Sequence, residues 1–490
     1  MATAVRRIRP PNAELARLVE SSGASHKSLA LRVNQLARAE GLEKDYSHTS
    51  VANWCRRGMI PKWPVPKLLA QAIGERLGRP VGLGEIGMGE TGTPDAGLGL
   101  DFPRDPADAV RVATSFWSSV NRRDFLAGTG FAASAFTVPV TRWLVAPADG
   151  SADRAGGKQV GRADLEELRE AAADARRWDS KYGGGSWRAD SVTHCLEHRA
   201  APLLQGSFAD DVGRELFSVT AELSRLAGWT AFDTGRHEVA QRYFIQALRL
   251  ARAGGDVQLG CYVLTTMAMQ ALLRGFATEA VDMAQGAAER AKGRAAPRVL
   301  AFTALIEARA HAREGDQRAA SRALAASENL LGRAADGHGD EPVWIDFYDH
   351  ARLSADAAEI YRDLKNPRAA LAWNRRAAAM PSGVFTRSVG MRLAIVAAAH
   401  LQAGELDRGL ALGNRSVDVL SRVRSSRALD YVREFGAALA PWGREPAVRE
   451  FVRRARSELG AEVRPAPGPA GGPPLRRPRE ATGRPPGRSR

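Results

Sequence analysis

The chain has 490 residues, is 44% hydrophobic, and carries 70 Lys/Arg against 55 Asp/Glu for a net charge of +15. That length and apolar content allow two or three domains with real cores and exclude a wholly disordered chain. Three scattered cysteines, Cys55, Cys195 and Cys261, exclude a disulfide framework or a zinc-ligand spacing and fit a reducing cytoplasm.

The charge is unevenly placed. Residues 1–80 hold 14 Lys/Arg against 6 Asp/Glu, a net +8, and residues 464–490 hold 7 Arg against 1 Glu, a net +6. About +1 remains for everything between. Charge gathered in one N-terminal domain and one tail points to a polyanionic partner, and duplex DNA is the usual one. Residues 1–9 are charged with no apolar run behind them, so no secretory signal is expected.

Residues 1–81 read as a helix-turn-helix domain. Asn12 is placed to cap a helix through Leu15, Leu18 and Val19 that stops at Gly23. Ser25 or Ser28 can cap a second helix, with Leu29, Val33, Leu36 and Ala37 at helical spacing. Ser47 caps a third, short helix over HTSVANWCRRG, on which Val51 and Trp54 share a core face. Its polar residues His48, Thr49, Ser50, Asn53, Arg56 and Arg57 are the candidate DNA contacts. Small hydroxyls permit close approach to the major groove, Asn can bond adenine twice, and Arg can do the same with guanine or hold phosphate. The stretch SVANWCRRGMIP (50–61) resembles the end of the DNA-binding module in regulators of the Xre/lambda-repressor type, which carry a similar Trp followed by Gly and Pro. This chain has one extra residue between Trp54 and Gly58, and a longer connection between helices two and three.

Residues 82–108, rich in Gly, Pro, Thr and Asp, are expected to be a flexible linker. Residues 109–148 form an apolar helical connector containing NRRDFLA (121–127), which resembles a twin-arginine export signal. The motif begins far from the N-terminus, and its apolar run of roughly 17 residues is at the lower limit for a membrane span. A connector helix packing Phe125, Phe131, Phe136 and Trp143 against the following domain is the expectation, with no membrane partner. Residues 149–161 read as a second linker.

Residues 162–462 carry an almost continuous helical pattern, so the fold class is all-α with an α-solenoid of helical hairpins. Gly228, Gly235, Ala240, Phe244 and Ala247 follow the small and aromatic positions of a tetratricopeptide hairpin. The turn residue recurs as Gly275, Gly315, Lys365 and Gly404, and the tight inter-helix position as Ala280, Ala320, Ala370 and Gly409. His194, Cys195 and His198 can share a helical face, but with no second ligand cluster nearby no metal is expected. Residues 463–490 form a Pro/Arg-rich tail that cannot build a core.

Stacked hairpins leave a face lined by their first helices. The groove positions of tetratricopeptide repeats, carried onto this chain, are Glu222, Arg225, Trp229, Asp233, Tyr262, Thr265, Met269, Phe302, Arg309, Arg313, Arg352 and Glu359. Mixed Arg, aromatic and Met positions suit a peptide or protein effector. The domain order resembles actinobacterial helix-turn-helix/tetratricopeptide regulators that repress sporulation and antibiotic production, and RRWDSKYGGGSWRADSV (176–192) looks like an element recurring in them. The resemblance implies a cytoplasmic DNA-binding transcription regulator; no enzyme activity and no cofactor are expected. A homodimer is expected, because a two-fold axis supplies two recognition helices. The alternative is an interaction scaffold whose N-terminal domain docks protein. No Gly-rich phosphate loop or catalytic triad pattern is present.

Overall fold

The computed structural model describes residues 10–39, 45–61, 64–79, 81–83, 85–88, 97–120, 130–145, 149–150, 154, 157–185, 190–335, 341–377 and 385–460. The NRRDFLA motif, with Phe125, and the tail 463–490 lie outside them. The described residues are all-α, and their only β-type pairings are two isolated bridges, Arg154 with Phe208 and Gln159 with Ser207. The chain divides into two compact units. One comprises residues 1–168, 193–228 and 237–256, and the other residues 169–192, 229–236 and 257–490. No helix among the described residues is long and apolar enough to cross a membrane.

The first unit opens with four helices: α1 (Ala13–Ser21), α2 (His26–Ala39), α3 (His48–Arg56) and α4 (Val65–Leu77). Asn12 caps α1 by accepting the Leu15 N–H, and Ser25 takes the Ser28 N–H at the start of α2. Leu15, Leu29, Val33, Val51, Leu69 and Ile73 are fully buried in one core, and Trp54 packs into it at a ring distance of 5.5 Å from Tyr46. That core runs past the expected boundary at 81, because Ile86 and Met88 are buried in it. Asn12 explains the extension: its amide nitrogen donates to the Ile86 carbonyl while its oxygen caps α1.

The rest of the first unit includes α5 (Pro106–Ser119), α6 (Thr137–Val145) and the start of α7 (Arg162–Tyr182). The short α8 (Asp190–Cys195) and α9 (Ala201–Leu204) precede a long hairpin, α10 (Asp210–Asp233) and α11 (His237–Ala253). α5 and α6 both pack on α11, burying Phe136 and Trp143 as expected of the connector, while Phe131 meets the Phe136 ring edge-on.

Part of the stretch expected to be a flexible linker is anchored. Arg242, Gln246 and Arg249 follow one another at helical spacing on α11 and are buried. Arg242 donates to Leu98 O at 3.0 Å, Gln246 to Gly99 O and Asp101 O at 2.8 and 3.0 Å, and Arg249 to Pro103 O and Arg104 O at 2.6 and 3.0 Å. Asp149 neutralises Arg249 and Arg252. A Gly/Pro-rich segment has few apolar side chains to bury, so its order comes from its carbonyls, which periodicity does not register.

The second unit continues with α12 (Val257–Leu273), α13 (Ala277–Ala291), α14 (Pro297–Glu314), α15 (Gln317–Ala335), α16 (His350–Asp363), α17 (Pro367–Arg376), α18 (Thr386–Gln402), α19 (Leu406–Leu420), α20 (Ser426–Ala438) and α21 (Pro446–Leu459). The helices α12 to α19 pair as hairpins, and α12, α14, α16, α18 and α20 each pack on the next. Every expected turn residue has a left-handed backbone: Gly235 (φ 82°), Gly275 (91°), Gly315 (81°), Lys365 (57°) and Gly404 (79°). In each turn the following N–H reaches the carbonyl five residues back, as Arg236 does to Ala231 and Asn366 to Tyr361. The pinch residues Ala280, Ala320 and Ala370 are buried, and a Cβ at Gly409 would come within 2.8 Å of the Leu401 side chain.

Candidate nucleic-acid interface and interior charge network

α3 is set in place by its flanks. Ser47 and Ser50 form a reciprocal cap at its start, so Ser50 serves the helix end. The longer connection before it is clamped by Asn34, whose amide nitrogen donates to Tyr46 O at 2.9 Å while its oxygen accepts the Tyr46 N–H at 2.8 Å. Val51, Trp54 and Cys55 then face the core, and burial pushes the Cys55 thiol pKa up.

Of the six expected DNA contacts, His48, Thr49, Arg56 and Arg57 are exposed, while Ser50 and Asn53 are half-buried. Both arginines stand at the same end of the helix, and no carboxylate among the described residues pairs with either. Beside Arg56 runs a groove of about 420 Å³, bounded by Glu20, Gly23, Ser25, His26 and Cys55. It therefore joins a guanidinium to the amino end of α2, where backbone N–H groups favour phosphate oxygens.

The twelve expected effector positions are placed differently. Nine are buried: Glu222, Arg225, Asp233, Tyr262, Thr265, Met269, Phe302, Arg309 and Glu359. Trp229 and Arg352 are half-buried, which leaves Arg313 as the exposed member. An extended peptide cannot reach most of this set as it stands, because nine of the twelve side chains are buried.

Tyr262 stacks on Trp344 at 4.8 Å and meets Phe302 edge-on, while Thr265 hydrogen-bonds Thr303 at 2.8 Å. Arg309 donates to Glu359 at 2.8 Å, Asp356 at 3.3 Å and the Tyr431 hydroxyl at 3.1 Å, and Tyr431 donates to Glu359. Burial alone would raise the Glu359 pKa, but Arg309, Arg362 and Arg313 outweigh it and bring the carboxyl down to about 2. Arg313 pairs with Asp363 at 2.7 Å and Arg352 with Asp356 at 2.6 Å.

A second knot centres on Asp233, which is fully buried. It receives Arg387 at 2.9 Å, Arg427 at 3.2 Å, the Ser425 hydroxyl at 2.9 Å and the Gly184 N–H at 2.9 Å. Burial works against the charged carboxylate, but Arg387 and Arg427 hold its pKa below the ordinary value. Asp179 accepts from both Arg387 and the Trp229 indole. Here the GGGSW-containing segment gains a physical account: a Cβ at Gly184 would lie 2.9 Å from Thr230 O, and one at Gly185 2.6 Å from Arg424 O. Asp179, Arg387, Arg427 and Tyr431 were not expected site residues. Only the glycine run pointed toward them.

Residues 15–89 match the profile of the SP15 N-terminal domain family. The match ends at residue 89, one position past Met88, the last buried residue of the first core. No curated protein matches the chain.

Proposed function

We propose that the chain is a cytoplasmic DNA-binding transcription regulator in which α3 enters the major groove and the helical hairpins receive the controlling signal. The observation that carries this reading is the division of α3 into a buried face of Val51, Trp54 and Cys55 and an exposed face with His48, Thr49, Arg56 and Arg57. It lies in a region with a net charge of +8, beside a groove that joins Arg56 to the start of α2. Steering by such charge and base contacts from a polar helix face are the two components of sequence-specific binding. A homodimer would set two copies of α3 about one DNA turn apart. The resemblance to differentiation and antibiotic regulators supplies the biological setting.

Chromatin immunoprecipitation with sequencing tests the reading. Discrete genomic peaks are expected; their absence, with stable protein partners recovered instead, would favour the scaffold reading. In gel-shift titrations of the full chain on a fragment so identified, Asn53→Ala and Arg56→Ala should each weaken site preference by roughly 1–3 kcal/mol. Trp54→Ala should unfold the N-terminal domain at a cost of about 3–5 kcal/mol. If Trp54→Ala kept the helical signal and lost only DNA binding, the two faces of α3 would be reversed.

A further inference from the structure

Three chain segments of the second unit meet over the Asp233 knot: residues 181–185 at the end of α7, 234–236 after α10, and 421–426 between α19 and α20. They are pinned to one another through that buried carboxylate. The Gly184 N–H and the Ser425 hydroxyl both donate to Asp233, and the Gly185 N–H donates to Arg424 O at 3.0 Å. A Cβ at Gly235 would lie 3.3 Å from the Ser426 side chain, which sets the third segment alongside.

The outer side of this platform is positive. Lys181, Arg236, Arg422 and Arg424 are all exposed, and none of the three segments contains an acidic residue. Within the second unit the flanking carboxylates are engaged elsewhere: Asp179 by Arg387, Asp233 by Arg387 and Arg427, Asp418 by Arg454, and Asp430 by Arg433. Helix ends offset part of the charge. The carboxyl ends of α7, α10 and α19 contribute about −0.5 each and the amino end of α20 about +0.5, so close to +3 remains. Residues 81–463 carry only about +1 in all, which makes this group a local concentration and not the average surface.

The layout narrows the class of partner. Exposed cations on three segments suit an extended polyanion, whereas one small anion needs its donors to converge. Duplex DNA carries one negative charge per about 1.7 Å of its axis, so it meets several such cations at once without a matching fold of its own. Arg and Lys hold phosphate oxygens, and the exposed Tyr182 adds a hydroxyl. A membrane surface is disfavoured, because among the described residues Tyr182 is the only large apolar side chain exposed on the platform. A single strand is disfavoured too, since it binds by stacking bases on aromatic faces. The Tyr182 ring is already stacked on Trp178 at 5.1 Å, with the Lys181 ammonium over it at 5.2 Å. We propose that this platform holds the phosphate backbone of duplex DNA without regard to base sequence. Asp233 fixes its segments before any contact is made, so little ordering opposes binding. The inference goes beyond base reading by α3 and does not depend on it.

Fluorescence anisotropy of the full chain on a random-sequence DNA duplex, over a series of salt concentrations, tests the proposal. Replacing the four cations together (Lys181→Gln, Arg236→Gln, Arg422→Gln and Arg424→Gln) should weaken binding about tenfold or more. It should also make the plot of log affinity against log salt shallower by about 2–4, since each lost phosphate contact removes about 0.9. The melting temperature should stay at the parent value, because these side chains are exposed. If the fourfold variant melts early, Arg422→Gln with Arg424→Gln alone should still reduce the slope by about 1–2. Keeping the charge with Arg236→Lys, Arg422→Lys and Arg424→Lys should preserve the slope. The proposal is overturned if the folded Gln variants keep the parent's affinity and slope, or if the Lys variant loses as much as the fourfold Gln variant. It is also overturned if a single strand of equal length, or a glutamate-rich peptide, competes for the four cations better than the duplex. The role of α3 is separable: Arg56→Gln with Arg57→Gln lowers site preference only if α3 reads bases, and the slope change from the four cations should persist in that background either way.

Discussion

Asp233 concentrates the energetics of the second unit in one side chain. It is fully buried and counters both Arg387 and Arg427, so removing it strands two guanidinium groups away from water. Asp233→Ala should therefore destabilise the protein by about 3–5 kcal/mol, as stranding a buried charge does elsewhere. Urea unfolding followed by circular dichroism checks this, and a loss within ordinary surface-mutation range would mean that water reaches the knot. Lys365 makes the opposite case. It holds a left-handed backbone with φ 57° at a turn that carries glycine in the other four hairpins. Lys365→Gly should stabilise by roughly 0.5–1 kcal/mol, because the Cβ that strains this conformation is removed.

At the scale of elements, the anchoring of residues 98–104 on α11 joins the N-terminal segments of the first unit to its long hairpin. Arg249 contributes two carbonyl bonds and the ion pair to Asp149, all from a side chain without solvent exposure. Arg249→Ala should release that segment while leaving α10 and α11 folded. Hydrogen exchange read by mass spectrometry should then show faster exchange over 98–120 and unchanged protection over 237–253. Equal loss of protection in both stretches would mean that the segment and the hairpin melt together. The hairpins themselves follow a simpler rule. Each pairs an αL turn residue with a small residue one turn into the next helix, so two short-range features set the angle at which its helices meet.

For the molecule as a whole, the interior ion pairs predict acid sensitivity. The Glu359 carboxyl has a folded-state pKa of about 2 against an ordinary value of 4.5, and Asp233 is also lowered. A lowered carboxyl contributes stability that is fully present above its unfolded pKa and is lost as pH falls through the folded one. Melting temperature should therefore hold down to about pH 5 and fall steeply between there and about pH 2. Glu359→Gln should flatten part of that fall while lowering stability at neutral pH. A melting curve for this variant that tracks the parent at every pH would remove Glu359 as a source of the acid sensitivity.

What is local could be read from the residues before the fold was known. Helical class, caps at Asn12 and Ser47, the buried face of α3, and the turn and pinch positions of the hairpins all depend on residues within a few turns of each other. The two faces of α3 were legible for the same reason, since one short helix carries both its core and its polar side. Tertiary structure alone decided which polar residues are spent inside. Arg309 meets Tyr431 across 122 residues, and Asp233 meets Arg427 across 194, so side chains assigned to an open groove became an interior network. Periodicity reports which face of a helix is turned inward; it does not report which distant charge waits there. Pairing buried charges depends on distances between helices far apart in the chain, and those distances exist only once the hairpins have packed.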